Sequence, residues 1–155
     1  MVLRMKLSPI QLEAYALSDL AYRANQDHKP DQDTAYRDDD IVVEHKCERT
    51  QGDDRLWEAS LSLRIQPRAE ANAPFYISLQ LSGLVRALPE LQSDNVEQLM
   101  RVNGASLLYG VAREVVRQVT ALGPFSPLLI PSVTFRPDPP AVATPALPPE
   151  KSVGP

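Results

Sequence analysis

The chain has 155 residues and a formal net charge of −4, with 16 basic against 20 acidic side chains. A mildly acidic chain does not have the excess of basic residues that neutralises nucleic-acid phosphates, so no nucleic-acid partner is expected. One cysteine excludes an internal disulfide framework. The N-terminal stretch lacks the apolar core of a signal peptide, and no run of about 18 apolar residues could span a membrane. We therefore expect a cytoplasmic protein without membrane insertion.

Four stretches of the chain alternate apolar and polar residues with the period of a β-strand. In chain order they are IQLEAYALSDLAYRAN, DIVVEHKCERT, RLWEASLSLRIQPR and PFYISLQLSGLV. The first predicts one face made of Ile10, Leu12, Ala14, Ala16, Leu20 and Tyr22. TQGDDR predicts a hairpin between the second and third strands. The long polar stretch NQDHKPDQDTAYRDDD predicts a crossover loop between the first and second.

A sheet with one apolar face needs a cover, and the C-terminal half can supply it. Apolar residues recur there with the spacing of one helix face, at Leu107, Val111, Val115, Val119 and Leu122. Gly123 and Pro124 then end this helix. A separate short helix is predicted from Asp94 to Val102, with Ser93 as its N-cap. The predicted fold class is α+β, with a four-stranded antiparallel sheet packed against one long C-terminal helix and one short helix.

Residues with the spacing of a catalytic or metal site are missing from the sequence. His45 and Cys47 share one face of the second predicted strand, as two metal ligands would, but a third ligand with suitable local spacing is lacking. No glycine-rich phosphate loop occurs. The neighbouring aspartates Asp38, Asp39 and Asp40 are expected to be solvated loop residues. The sequence thus predicts no enzyme, no cofactor and no metal.

Prolines are concentrated at the C-terminus, where seven of the 15 follow Arg136 in PDPPAVATPALPPEKSVGP. Such a segment cannot continue a helix and has few large apolar residues to pack. It predicts a disordered, proline-rich tail at residues 137–155 after a domain at residues 1–136. The tail is expected to be either simply solvated or a recognition segment for a proline-binding groove.

The stretch from Gly83 to Phe135 resembles the SecB family of cytosolic export chaperones. LLYGVAREVV is similar to the family's LFPYARE segment, with Gly110 and Val111 in place of its Pro-Tyr pair. GPFSPLLIPSVTF is similar to the family's Gly-x-Phe-Pro…Pro-Val-Asn-Phe segment, although Thr134 replaces the asparagine and the proline is shifted to Pro131. The order of four strands, crossover loop, helix and this segment extends the resemblance from about Met5 to Phe135.

The resemblance implies an ATP-independent holdase that binds unfolded polypeptides in an apolar groove between the sheet and the helical layer, assembled as a homotetramer, a dimer of dimers. The expected groove residues are Tyr36, Leu84, Val85, Leu88, Phe125, Leu128, Leu129, Ile130, Val133 and Phe135. Leu129 and Ile130 are neighbours in an extended segment, so at least one should face outward. The expected oligomer interface comprises Leu107, Leu108, Val111 and Val115.

The chain departs from the family at the surface that binds SecA. One family acid aligns with Asp19, but another falls near Arg23 and a third near Ser78. A cationic partner would lose attraction at both changed positions. The resemblance therefore implies clients that are either preproteins for export, with or without SecA, or a protected antitoxin. The alternative hypothesis is a scaffold dedicated to a single partner such as an antitoxin, without general holdase or SecA-coupled export activity.

Overall fold

The computed structural model describes residues 5–136. These residues form four strands, β1 (Ile10–Ala24), β2 (Ile41–Arg49), β3 (Leu56–Ile65) and β4 (Phe75–Ala87), followed by the helix α1 (Val96–Ala121). Short 3-10 turns lie at Asp38–Asp40 and Ala69–Ala71. The predicted α+β fold is confirmed. The predicted proline-rich tail lies outside the described residues.

The strands form one antiparallel sheet in the order β1-β4-β3-β2. β2 and β3 form the predicted hairpin. β1 and β2 lie at opposite edges although they are consecutive in sequence, so residues 25–40 must cross one end of the sheet. The predicted crossover loop is therefore confirmed.

The alternation of β1 is interrupted by two shifts in its register with β4, one after Leu12 and one after Leu17. Each extra residue reverses which side chains face the helix. Tyr15 and Leu17 consequently lie on the helix-facing side of the sheet, opposite buried residues of β4. The prediction that Ala14 and Ala16 lie on that face is wrong, because they fall between the two shifts and point to the outer face.

The core lies between the helix-facing side of the sheet and α1. Its largest fully buried side chains are Trp57, Phe75, Leu61, Leu63, Ile65, Ile77, Leu79, Leu81, Met100, Leu108, Val85 and Val116. The helix approaches the sheet closely at Gly104, where a Cβ atom would lie 3.3 Å from the Cys47 sulfur. A larger residue at this position would push α1 away from β2.

The prediction of two separate helices is wrong, because residues 96–121 form one continuous helix. Gly104 has low helix propensity, but its close packing on the sheet holds it in the helix. The N-cap is Asn95 rather than Ser93. The Ser93 hydroxyl instead accepts a hydrogen bond from the Asn95 N–H at 3.1 Å. Across residues 5–136, α1 included, we find no helix with the length and apolarity that a membrane crossing requires.

Candidate binding surface

After α1 the chain returns along the helix as an extended stretch, which we call the C-terminal segment (residues 123–135). Helix side chains fix its backbone. The Thr120 hydroxyl accepts a hydrogen bond from the Leu128 N–H at 2.8 Å, and the Tyr109 hydroxyl donates to the Pro131 carbonyl at 2.7 Å. The position of the segment over the sheet is therefore set by α1.

Side chains of the C-terminal segment divide into buried and exposed positions. Ile130 is buried, and the Arg113 Nε–H donates to its carbonyl oxygen at 3.0 Å. Leu129 and Val133 are 72% and 44% exposed. The expectation that at least one of the neighbours Leu129 and Ile130 faces outward is met by Leu129. The segment thus presents apolar side chains to solvent from a fixed backbone.

Aromatic contacts anchor both ends of the C-terminal segment. The Phe125 ring packs edge-on against Phe75 and His28, with centroid distances of 5.8 and 4.6 Å. The Phe135 ring packs edge-on against His45 at 5.2 Å. His45 lies on the helix-facing side of β2, the same side as Cys47, as predicted. The half-buried Leu128 packs on the core between these two anchors.

The crossover loop is held against the β3–β4 connection by Asn72, which adopts a left-handed backbone conformation with φ of 49°. Its carbonyl accepts hydrogen bonds from the His28 Nδ1–H at 2.8 Å and from the Thr34 hydroxyl at 3.1 Å. Its side-chain oxygen accepts one from the Lys29 N–H at 2.8 Å. These bonds place the His28 ring against the C-terminal segment.

Asp40 closes the other end of the crossover loop. Its Oδ2 accepts hydrogen bonds from the Arg37 N–H at 2.7 Å and from the Arg68 guanidinium at 2.8 Å. The Arg37 hydrogen bond, supported by Arg68, holds the pKa of Asp40 below its usual range. Burial, with the Asp40 charge adding to it, raises the pKa of Tyr36 to about 12. The predicted groove residue Tyr36 is therefore uncharged at neutral pH, and its buried hydroxyl has no hydrogen-bond partner within residues 5–136.

The Cys47 thiol has the environment of a structural cysteine. Burial is the main cause that raises its pKa to about 11. Its sulfur lies 3.6 Å from the Met100 carbonyl, to which the thiol donates. A thiol that stays protonated at neutral pH is a poor nucleophile. This site offers packing rather than covalent chemistry.

The structure separates the predicted groove residues of β4 from the C-terminal segment. Val85 is fully buried under α1, so its expected role as a client contact is wrong. Leu84 points to the outer face, because consecutive strand residues face opposite sides. Leu88 is half-buried near Pro9, whose carbonyl accepts its N–H at 2.7 Å. This is the opposite end of the sheet from Phe125.

A second apolar surface lies on the helix-facing side of β1. Tyr15, Leu17 and Leu20 are 59%, 42% and 39% exposed, and we call them the β1 strip. They pair with β4 residues of the core face but are not themselves covered. Soluble monomers rarely leave large contiguous apolar patches uncovered, which makes this strip a candidate contact surface.

The predicted oligomer-interface residues of α1 differ in exposure. Leu108 is fully buried and fills the space beside Gly83, so it belongs to the core and its predicted interface role is wrong. Leu107, Val111 and Val115 are partly buried and follow each other at four-residue intervals. Residues two apart on a helix are rotated by ~200°, so this stripe faces away from Tyr109 and from the C-terminal segment.

The three positions that the family resemblance aligns with SecA-binding acids lie together on the outer face of β1 and β4. Asp19 pairs with Gln80 of β4, and Ser78 lies two residues before Gln80 on the same strand. The Arg23 guanidinium carbon lies 4.5 Å from the centroid of the Tyr76 ring. This surface therefore combines one acid, one arginine and one serine.

The sequence contains a signal for the β1 strip that the simple alternation misses. Its large apolar residues switch from even to odd positions and back again. In chain order they are Ile10, Leu12, Tyr15, Leu17, Leu20 and Tyr22. Each change coincides with a register shift. The contacts of His28 and Asn72 span more than forty residues, and no local pattern signals them.

Comparison with known proteins agrees with this arrangement. A Protein-export protein SecB of Cellvibrio japonicus is 28% identical over 95 residues, which cover 61% of this chain and 56% of that protein. One from Acidithiobacillus ferrooxidans is 29% identical over 85 residues, covering 55% of this chain and 56% of that protein. The chain thus matches a little over half the length of these relatives.

Among solved structures, a Mycobacterium tuberculosis SecB-like chaperone in complex with an antitoxin peptide has the same fold. It superposes with a TM-score of 0.57 at 14% identity, covering 81% of this chain and 88% of that one. A family model described as SecB, preprotein translocase subunit SecB, matches residues 9–137. Because this match covers most of the sequence, the chain belongs to the SecB family.

Proposed function

We propose that the protein is an ATP-independent cytoplasmic holdase that binds unfolded or non-native polypeptides. The exposure of Leu129 and Val133 on a segment whose backbone is fixed by α1 carries this proposal. Burying a client's apolar side chain contributes ~1.5–3 kcal/mol, so a few such contacts give reversible binding. Because the surface is already ordered, little conformational entropy is lost when a client binds.

In the proposed client site, Leu129 and Val133 make the direct contacts. Phe125, Leu128 and Phe135 are half-buried and hold the segment in place. Tyr36 supports the crossover loop beside it. The buried Ile130 contributes to the core under the same segment. This division follows from exposure, since a client can contact only side chains that reach solvent.

We further propose that copies of the chain associate through the β1 strip and the partly buried stripe of Leu107, Val111 and Val115. Both surfaces lie on the side of α1 that faces away from the C-terminal segment. Self-association there would leave the proposed client site accessible. A homotetramer, as the family resemblance implies, could be built from such contacts.

A second candidate function is the binding of one dedicated partner, such as an antitoxin. The Arg23–Tyr76 pair on the outer face favours it over SecA-coupled export, because a guanidinium now stands near where the family carries an acid. The Mycobacterium tuberculosis chaperone of the same fold binds an antitoxin peptide. Capture of a single dominant protein from native lysate would favour this function over a general holdase.

The proposed holdase activity is tested by suppression of aggregation of a refolding client without ATP. Wild-type protein should suppress light scattering at stoichiometric amounts. Leu129→Ser should weaken client binding by roughly 1–2 kcal/mol, because about three quarters of a leucine side chain is free to be buried. Leu122→Ser is the matched control, since Leu122 is even more exposed but lies just beyond the end of α1. Equal activity of both variants would count against the proposed site, and an inactive wild type against the holdase itself.

A further inference from the structure

The C-terminal segment lies in a trough between α1 and β2 that continues beyond it. Next to Phe135 the trough opens into a cleft of about 630 Å³, lined on the β2 side by His45 and on the helix side by Arg101 and Val102. Arg136, the last described residue, also lines this cleft. A smaller hollow of about 370 Å³ extends it along β2 past Cys47. The described part of the chain therefore ends inside an open trough.

The chemistry of the cleft suits a proline-rich segment. Phe135 and His45 supply aromatic rings, and Val102 adds an aliphatic surface. Segments in the polyproline conformation bind to such aromatic-lined grooves because they are already extended and lose little entropy on binding. On the rim, Arg101 is paired with Glu97 at 2.5 Å, and both are exposed. The cleft is also lined by Asp94 and by Arg136, so its rim carries charges of both signs, and an acidic side chain can pair with either arginine.

The sequence that follows Arg136 has these properties. Residues 137–155 contain seven prolines, and Asp138 lies two positions after Arg136. In the polyproline conformation these 19 residues would extend ~59 Å, at ~3.1 Å per residue. The free part of the trough runs beside the N-terminal half of α1, which spans ~20 Å, so about seven tail residues in this conformation are enough to fill it. A directly attached ligand also has a high effective concentration, of millimolar order for short linkers.

We propose that residues 137–143 bind in the trough between β2 and the N-terminal half of α1 of their own chain, with Asp138 next to Arg101. This intramolecular site is separate from the surface of Leu129 and does not depend on holdase activity. The bound tail would fill the trough, and any other proline-rich segment would have to displace it to bind there.

The test uses paramagnetic relaxation in the full-length protein. Ala143→Cys places a thiol in the tail for a nitroxide label, and the buried, protonated Cys47 should not react. Wild-type protein treated with the same reagent checks this selectivity. Amide signals of His45 and Arg101 should be broadened several-fold more than those of Tyr15 and Leu17. Adding His45→Ala should reduce this difference, whereas Lys46→Ala, which alters the outer face of β2, should not.

Two results would overturn the proposal. Equal broadening on both sides of α1 would mean that the tail does not prefer the trough. Broadening of an unlabelled, isotope-enriched protein mixed with nitroxide-labelled protein would mean that the trough holds a neighbour's tail instead. A result confined to the labelled chain, with His45 and Arg101 most affected, supports binding within one chain.

Discussion

Replacing Leu17 by lysine should weaken self-association of the protein. The exposed fractions of Tyr15, Leu17 and Leu20, at 59%, 42% and 39%, amount to about 1.4 complete side chains. At ~1.5–3 kcal/mol per buried side chain, their burial would contribute ~2–4 kcal/mol per subunit. A two-fold interface uses each patch twice, which gives ~4–8 kcal/mol. The strip is therefore large enough to matter for assembly.

Leu17 accounts for about a third of this surface. Its loss from both subunits should cost ~1.3–2.5 kcal/mol, and the ammonium group of lysine adds a desolvation penalty. We therefore expect the dissociation constant to rise at least about tenfold, since 1.4 kcal/mol corresponds to a factor of ten. Sedimentation velocity over a series of protein concentrations measures this shift directly.

Ala16→Lys is the matched control for Leu17→Lys. Ala16 is the preceding residue on the same strand, also exposed, but it points to the outer face. The control should associate like wild type. If both lysines weaken association equally, the effect comes from added charge rather than from the strip. If Leu17→Lys associates as tightly as wild type, the β1 strip is not a subunit contact.

Two further predictions concern the crossover loop. Tyr36→Phe should raise the free energy of unfolding by ~1 kcal/mol, because it removes a buried hydroxyl without a hydrogen-bond partner among the described residues; a clear decrease in chemical denaturation would mean that the hydroxyl has a partner. Asp40→Asn should lower the melting temperature at neutral pH. Because the folded protein holds the pKa of Asp40 below the ordinary 3.8, the stabilisation is present above that pH and is lost as the pH falls through the lower folded-state pKa. The difference from wild type should shrink in acid, whereas the exposed Asp39→Asn should show no such dependence.

The four-stranded antiparallel sheet, its hairpin and its crossover loop could be predicted from alternation and loop lengths, but the faces of β1 could not be predicted from alternation alone. Alanine fits either side of a sheet, so Ala14 and Ala16 carry little information about orientation. The large side chains are more informative, since Tyr15 and Leu17 break the even-numbered pattern where the register shifts. A switch between even and odd positions among the large apolar residues indicates a bulge more reliably than the alternation of all apolar residues, alanines included.

The grouping of Leu84 with Val85 and Leu88 fails for a simpler reason. Consecutive residues of a strand point to opposite faces, so Leu84 and Val85 cannot line the same groove. In the C-terminal segment the same rule correctly predicts that at least one of Leu129 and Ile130 is exposed. The rule also holds in this segment because α1 side chains keep it extended.

The helix boundary depends on contacts that the sequence does not show locally. Gly104 weakens a helix in isolation, which favours a break between two helices. In the folded protein the same residue permits close packing of α1 on Cys47, and this contact outweighs the propensity. The Asp40–Arg68 pair likewise joins residues 28 positions apart, so its stabilising role becomes visible only in three dimensions.

The two exposed apolar surfaces lie on opposite sides of α1, and this placement makes their roles separable. A chaperone that buried its client surface by self-association would lose activity on assembly. If the β1 strip forms the subunit contact, Leu17→Lys should alter association while client binding per chain is retained. Leu129→Ser should do the reverse. If Leu17→Lys instead weakens client binding and Leu129→Ser weakens association, the two roles are reversed. The β1 strip would then bind the client, and the C-terminal segment would form the subunit contact.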